Sequence, residues 1–488
     1  MGIRRSGNYK PSIWDDEYVQ SRPNLYAEEK YCERAEKLKE EVRRMLEKKM
    51  TNSLEQLELI DILQRLGIYY HFEEEIDTVL KQTYVSYNYN KRDLNNEEVY
   101  AVALEFRLLR QQGYHVPQEI FCSFMNEEGK FKTALVEDTK GLLSLYEASY
   151  LCMEDENIME NARDFATHYL MESLKKKKMD ENVGEQVSHA LEMPVHWRME
   201  RLEARWFIEI YHKKENMNPL LLELAKLDYN MVQESFILLT TIDDIYGTLD
   251  ELELFTDIVD RWDINAIEQL PEYMKISFLA LFNSMNELAY DILKEQGFSI
   301  ISQIRKQWAN LCKAYLLEVK WYQRGYTPTL NEFLRNAWIS NTGPVLIMHA
   351  YFCITNPIKE DELECLNHYP PIIYSPSLIL RLVNDLGTSP DEIKKGDHLK
   401  SIQCYMHDSK CSEENARNYI NKLIDQTWMK MNRDILRDQS FSKDFRRTSM
   451  NLARISQCIY QHGDGFGIPD RETKDRILSL FFEPIPLT

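Results

Sequence analysis

At 488 residues the chain is too long for one ordinary hydrophobic core and predicts two domains or a large helical assembly. Hydrophobic residues at 44% and charged residues at 28% exclude wholesale disorder, and a formal charge of −20 argues against nucleic acid as a general partner. If the ligand is anionic, such a chain must gather cations locally against its own field, and divalent metals would do that. With 16 glycines and 16 prolines, turn-forming residues are scarce, which favours long helices over turn-rich sheets. Nine cysteines at 32, 122, 152, 312, 353, 365, 404, 411 and 458 form no CxxC pair, so neither a zinc site nor a disulfide framework is expected. Reduced thiols in an intracellular compartment are the expectation. No run approaches the roughly 18 apolar residues of a membrane span. The opening MGIRRSGNYK lacks an apolar core and is too short to act as a transit peptide.

Residues 1–25 are polar and irregular, with Arg4 and Arg5 ahead of Trp14. From Tyr26 onward, leucines and isoleucines recur at three- and four-residue spacing, which predicts helices. The stretch 95–113 is one of them, with Gly113 as its C-cap. Helices separated by short polar breaks continue to about Met193, and the lysines at 175–178 read as a solvated helix end. Pro194 marks the expected passage from an N-terminal helical domain, 1–195, to a second domain, 196–488. Beyond it aromatic residues cluster, among them Trp206, Trp262, Phe278, Trp308, Trp321 and Trp338. Core packing is the ordinary role of such aromatics, and they are also what lines a pocket for a greasy cation.

Three stretches of the second domain carry chemistry. At 236–242 an apolar run leads directly into Asp243 and Asp244. Two acids at the mouth of a buried element fit a bound cation, or else an element end whose acids face water. At 340–344 the sequence SNTGP interrupts an apolar helical pattern, so a helix breaks there and freed carbonyls can face a cavity. At 381–392, Asn384, Thr388 and Glu392 recur every four residues, which sets three hard oxygen donors on one side of a helix. Such donors suit Mg²⁺ and not zinc. Arg381, one turn earlier, can pair with a phosphate on the same face. Against this, Ser389-Pro390-Asp391-Glu392 reads as the N-cap and first turn of a new helix, which would turn Glu392 from that face.

With these motifs in order, the chain resembles the plant class I terpene synthases, in their monoterpene branch. The resemblance runs over almost the whole length. It rests on Arg4-Arg5 with Trp14, FRLLRQQGY at 106–114, EDTKGLLSLYEAS at 137–149, RLEARWFIE at 201–209, TTIDDIYGTLDELELF at 240–255, the Asn384/Thr388/Glu392 motif, GDHLKSIQCYM at 396–406 and YQHGDGFG at 460–467. It implies an all-α fold of two helical domains, an N-terminal α-barrel-like one and a C-terminal class I catalytic bundle. The implied reaction is metal-assisted ionisation of geranyl diphosphate, followed by cyclisation or water capture. Asp243 and Asp244 with Asn384, Thr388 and Glu392 would hold Mg²⁺ or Mn²⁺, three ions by the family pattern. Arg381 would neutralise the leaving diphosphate, Trp206, Tyr460 and Asp464 would lie near the cation or the mouth, and Arg4 and Arg5 would fold over the entrance. Asn341, polar at the helix break, would orient a water and favour an oxygenated product. A plastid location and a monomeric or homodimeric state are the corresponding expectations.

The sequence departs from the family pattern in three places. Gly247 follows Asp243-Asp244-Ile245-Tyr246 at once, so the third aspartate of an Asp-Asp-x-x-Asp motif is absent and Asp250 is the next acid. Gln233 runs directly into Glu234, and no Arg-x-Arg occurs anywhere. Pro390 sits inside the second metal motif. The first two departures look like internal deletions, which makes a catalytically impaired homologue that binds without turnover the alternative reading. A nucleotide hydrolase would need GxxxxGK[ST] upstream of the apolar run, and none exists. A class II cyclase would need Asp-x-Asp-Asp, which is also absent, and a helical scaffold would leave the ordered motifs unexplained.

Overall fold

The computed structural model describes Tyr26 and residues 28–47, 53–89, 98–232, 248–394, 400–438, 440–465 and 471–487. As the low glycine and proline content predicts, they fold as helices. The first are α1 (Glu29–Glu47), α2 (Ser53–Arg65), α3 (Glu73–Tyr89), α4 (Val99–Gln111), α5 (Thr139–Ser149), α6 (Asn157–Lys175), α7 (Glu181–Glu192), α8 (Glu200–His212) and α9 (Pro219–Val232). Then come α10 (Leu249–Arg261), α11 (Glu272–Gln296), α12 (Ile301–Gln323), α13 (Leu330–Ser340), α14 (Gly343–Ile354) and α15 (Glu360–Asn367). The last are α16 (Pro371–Lys394), α17 (Ser401–Ser409), α18 (Glu413–Arg437), α19 (Lys443–Tyr460) and α20 (Arg471–Phe481). No strand forms among the described residues, and extended pairing is limited to one bridge between Met125 and Phe131.

Contacts divide the described residues into two compact units, 26–232 with 471–487, and 248–465. Chain order alone placed a boundary at 195, whereas the contacts group α8 and α9 with the helices before them. Specific bonds hold them there. Arg201 of α8 donates to the Leu480 carbonyl at 3.1 Å and to that of Tyr229 at 2.9 Å. The Tyr229 hydroxyl reaches the Ser479 carbonyl at 3.0 Å, and the Asn230 amide bonds both backbone groups of Ile485 at 2.9 and 2.7 Å.

The interior of this first unit carries charge. Glu203, 2% exposed, accepts from Arg65 Nε at 2.8 Å and Arg198 Nη1 at 2.9 Å, with His189 Nε2 also at 2.9 Å. A buried carboxylate survives only when its lone pairs are met in this way. Although burial opposes ionisation, the Arg65 guanidinium and then His189 hold the Glu203 carboxyl well below the usual range. Glu147 is the opposite case. Its carboxylate accepts the Val195 amide at 2.9 Å, yet burial outweighs its arginine neighbours and pushes it up to about 7.

The second unit is organised around α16. This helix packs against α13, α14, α17, α18 and α19, and Ile373, Ser375, Ser377, Ile379, Leu382, Asp385 and Ser389 are all fully buried along it. It also contains Pro376 and Pro390. The reading of Ser389 as the cap of a new helix is not what the structure shows, since α16 runs unbroken to Lys394. An interior proline costs a helix about 3 kcal/mol, in part because the carbonyl four residues back loses its donor. Both deprived carbonyls find a substitute. That of Ile372 accepts the Ser449 hydroxyl of α19, and that of Leu386 accepts Arg417 Nη1 of α18 at 3.1 Å. Neighbouring side chains thus replace the missing amides, which is why the helix continues.

Two predictions follow from these packing facts. Replacing Ser449, 1% exposed, by alanine leaves the Ile372 carbonyl with no donor and should cost about 1–3 kcal/mol in urea unfolding. Adding Pro376→Ala to that variant restores a backbone donor and should recover most of the loss. For Glu147, the folded carboxyl titrates near 7 and the unfolded one near 4.3, so the native state binds the extra proton between those values. Stability from this group is therefore greatest at low pH and falls as pH rises towards 7. Glu147→Gln should flatten the decline in melting temperature between about pH 5 and 7. An unchanged slope would place the titrating group elsewhere. Glu203 acts in a separate window, because its depressed pKa makes its contribution disappear only at more acidic pH.

Candidate active site

Because α16 is continuous, Arg381, Asn384, Thr388 and Glu392 fall within about a quarter-turn of one another around its axis. The backbone of 392 lies in the helix, and its side chain is outside the described residues. Asn384 is half-buried and Thr388 is 2% exposed. A helical threonine commonly donates to the carbonyl four residues back. Thr388 Oγ1 instead is buried with no hydrogen-bond partner among the described residues. A polar atom left so is costly unless something occupies the space it faces.

Arg381 is fixed from two sides. Its Nε lies 2.9 Å from Oδ1 of Asp385, one turn on, and its guanidinium carbon is 5.0 Å from the Phe333 ring centre on α13. Asp385 itself is fully buried, and its Oδ2 accepts the Ser401 amide at 2.9 Å, which ties the start of α17 to α16. Burial and then this carboxylate push the nearby Cys404 thiol up to about 12, so it stays protonated and inert.

The break predicted at 340–344 is present between α13 and α14. Thr342 adopts left-handed backbone, φ 68°, and the Cβ of any larger residue at Gly343 would stand 2.6 Å from Ser377 Oγ. Glycine is therefore required where α14 meets α16. Asn341 is committed at both ends, its Nδ2 donating to the Ser377 carbonyl at 2.6 Å and its Oδ1 accepting the Gly343 amide at 3.0 Å. These bonds give Asn341 the task of closing the break. Just before it, the Ser340 hydroxyl donates to Glu318 of α12 at 2.6 Å, and the Asn336 amide reaches the same oxygen at 3.2 Å.

Gly387 is a second point of close approach. A Cβ there would stand 2.8 Å from the Gly463 carbonyl oxygen and 3.1 Å from the Tyr460 Cβ. The end of α19 is thereby brought against α16 between Asn384 and Thr388, with Tyr460 and Asp464 both half-buried. Trp206 belongs to the other unit. There its ring stacks on His189 at 3.5 Å and 11°, with Arg65 5.6 Å from its centre, a packing arrangement around Glu203. Asp243, Asp244, Arg4 and Arg5 lie outside the described residues.

Two carboxylates were missed by reasoning from sequence. Asp385 had a signal, its four-residue spacing from Arg381. Glu318 had none, because its partners Asn336 and Ser340 come from another helix. Among the described residues no three His, Cys, Asp or Glu side chains group as metal ligands. The described residues that fit a hard cation are the half-buried Asn384 amide and the unpartnered Thr388 hydroxyl.

Family models match both parts of the chain, the terpene synthase N-terminal domain over residues 13–191 and the terpene synthase metal binding domain over 230–430. Among curated relatives, a (−)-alpha-terpineol synthase of Vitis vinifera is 51% identical, over 99% of this chain and 91% of its own length. A chloroplastic myrcene synthase of Quercus ilex is 50% identical, over 99% and 90%. The first alignment extends over 541 positions, more than this chain's 488 residues, so that relative carries internal sequence with no counterpart here. Among solved structures, limonene synthase with 2-fluorolinalyl diphosphate superposes with a TM-score of 0.94 at 37% identity, covering 99% of this chain and 100% of that one. Isoprene synthase from grey poplar, in complex with three Mg²⁺ ions and dimethylallyl-S-thiolodiphosphate, gives 0.87 at 42%, covering 94% and 98%. With both domains matched and half the residues identical to relatives along nearly the whole chain, this protein belongs to the terpene synthase family.

Proposed function

We propose that the chain is a monoterpene synthase, a carbon–oxygen lyase that ionises geranyl diphosphate with Mg²⁺ or Mn²⁺ and lets the allylic cation cyclise or capture water. The observation that carries this reading is the unpartnered, buried Thr388 hydroxyl one turn beyond Asn384, on the face that also bears Arg381. Asn384 and Thr388 would hold metal through their oxygens, with Asp243, Asp244 and Glu392 completing the set by sequence pattern. Bound divalent ions would neutralise charge growing on the departing diphosphate. Arg381 adds hydrogen bonds to phosphate oxygens, and the Asp385 pair with the Phe333 face limits the freedom it must lose to do so. Tyr460 approaches α16 beside Gly387, and with Asp464 it would lie near the same face. Arg4 and Arg5 would keep water from the mouth, and the names of the chloroplastic relatives support a plastid location.

The relatives that match along nearly the whole chain carry the names of synthases, which supports turnover over the alternative of a chain that binds without it. Incubating the purified chain with geranyl diphosphate should give a terpene that disappears when the metal is chelated. Arg381→Gln should lower kcat/KM by about 10²–10³-fold, as loss of a charge-stabilising donor does, and should also lower the melting temperature, because it leaves the buried Asp385 carboxylate without its cation. A folded protein that yields no metal-dependent product would overturn the proposal.

A further inference from the structure

Pro390 lies between Thr388 and Glu392, and its missing amide should loosen the helix where the metal-facing residues need a common register. The carbonyl it deprives, that of Leu386, is held by Arg417 Nη1 at 3.1 Å. Arg417 is itself placed by α18. Ser412 caps that helix through the Asn415 amide at 3.3 Å, and Glu413 in the first turn accepts Arg417 Nε at 2.9 Å. Leu386 is on the order of half a turn around α16 from both Asn384 and Thr388. The guanidinium charge is therefore kept on the side away from the metal-facing oxygens. The same device recurs at Pro376, where Ser449 serves the Ile372 carbonyl.

We propose that Arg417 is a positioning residue for metal binding: by standing in for the amide that Pro390 lacks, it keeps Asn384 and Thr388 in helical register. This rests on the function proposed above. An exposed Arg–Glu pair one turn apart would contribute little by itself, whereas a charge-assisted bond to an otherwise deprived carbonyl sets backbone geometry. The inference makes a specific demand. Arg417 should matter only while residue 390 has no N–H.

The test is a two-by-two comparison of wild type, Arg417→Gln, Pro390→Ser and the double variant. Inorganic pyrophosphate binding is titrated with Mg²⁺ by calorimetry, alongside turnover of geranyl diphosphate and thermal melting. Arg417→Gln should raise the Mg²⁺ needed for half-maximal binding by about tenfold, the scale on which supporting partners of metal ligands act. Pro390→Ser alone should bind as well as wild type, and the double variant should return to its Mg²⁺ dependence. Should Arg417→Gln melt early, the double variant still decides the matter, because a restored amide must recover both stability and Mg²⁺ dependence. An unchanged Mg²⁺ requirement in Arg417→Gln, or no rescue by Pro390→Ser, overturns the inference while leaving the enzyme assignment intact. Wild-type protein that neither binds Mg²⁺-pyrophosphate nor turns over substrate overturns both.

Discussion

A buried helix cannot carry prolines in its interior unless the carbonyls they deprive find donors elsewhere. In α16 that condition governs the second unit. The helix is surrounded by five others, so water is poorly placed to satisfy the Ile372 and Leu386 carbonyls, and the donors come from Ser449 and Arg417 on two separate helices. The same bonds that keep α16 continuous also pin α18 and α19 against it. Asp385 adds a third tie through the Ser401 amide, and Asn341 a fourth through the Ser377 carbonyl. The ties at Ile372 and Leu386 lie on the far side of the helix from the face bearing Arg381, Asn384 and Thr388, whereas those at Ser377 and Asp385 lie on or beside it.

The first unit solves a different problem. Its interior gathers Arg65, Arg198 and His189 around the Glu203 carboxylate, with the Trp206 ring closing over His189. Removing any one partner would leave a buried charge uncompensated, which is far more destabilising than the net worth of the cluster. Such a cluster fixes how α2, α7 and α8 meet. It also explains why the RLEARWFIE stretch can be dense in charge and still lie in a helix that packs: Glu203 and Arg201 both point their polar ends at defined partners.

Much of this was legible in the sequence. Three- and four-residue apolar spacing gave the helices, the SNTGP stretch gave the break, and the ordered motifs gave the family. What local context did not reveal were the partners of single polar and aromatic residues. Ser389-Pro390-Asp391-Glu392 has the composition of a helix start, but Arg417, distant in sequence, supplies the donor that lets the preceding helix continue. The tie from Asn341 to the Ser377 carbonyl could not be read locally, because 341 and 377 become neighbours only after folding. Trp206 carried a motif whose local sequence could not distinguish a pocket wall from a lid on a buried ionic cluster. Glu318 was invisible for the same reason, since its hydrogen bonds cross from α12 to α13. Local pattern fixed the elements, and tertiary contacts decided what each polar side chain does.

A crystal structure of the chain grown with Mg²⁺ and inorganic pyrophosphate bears most directly on the account. It should show α16 unbroken through Pro390, the Leu386 carbonyl on Arg417, and a metal ion on the oxygens of Asn384 and Thr388. A helix restarted at Ser389, with the Thr388 hydroxyl turned back onto the Asn384 carbonyl and no ion beside it, would contradict the claim that this helix is the metal-binding element.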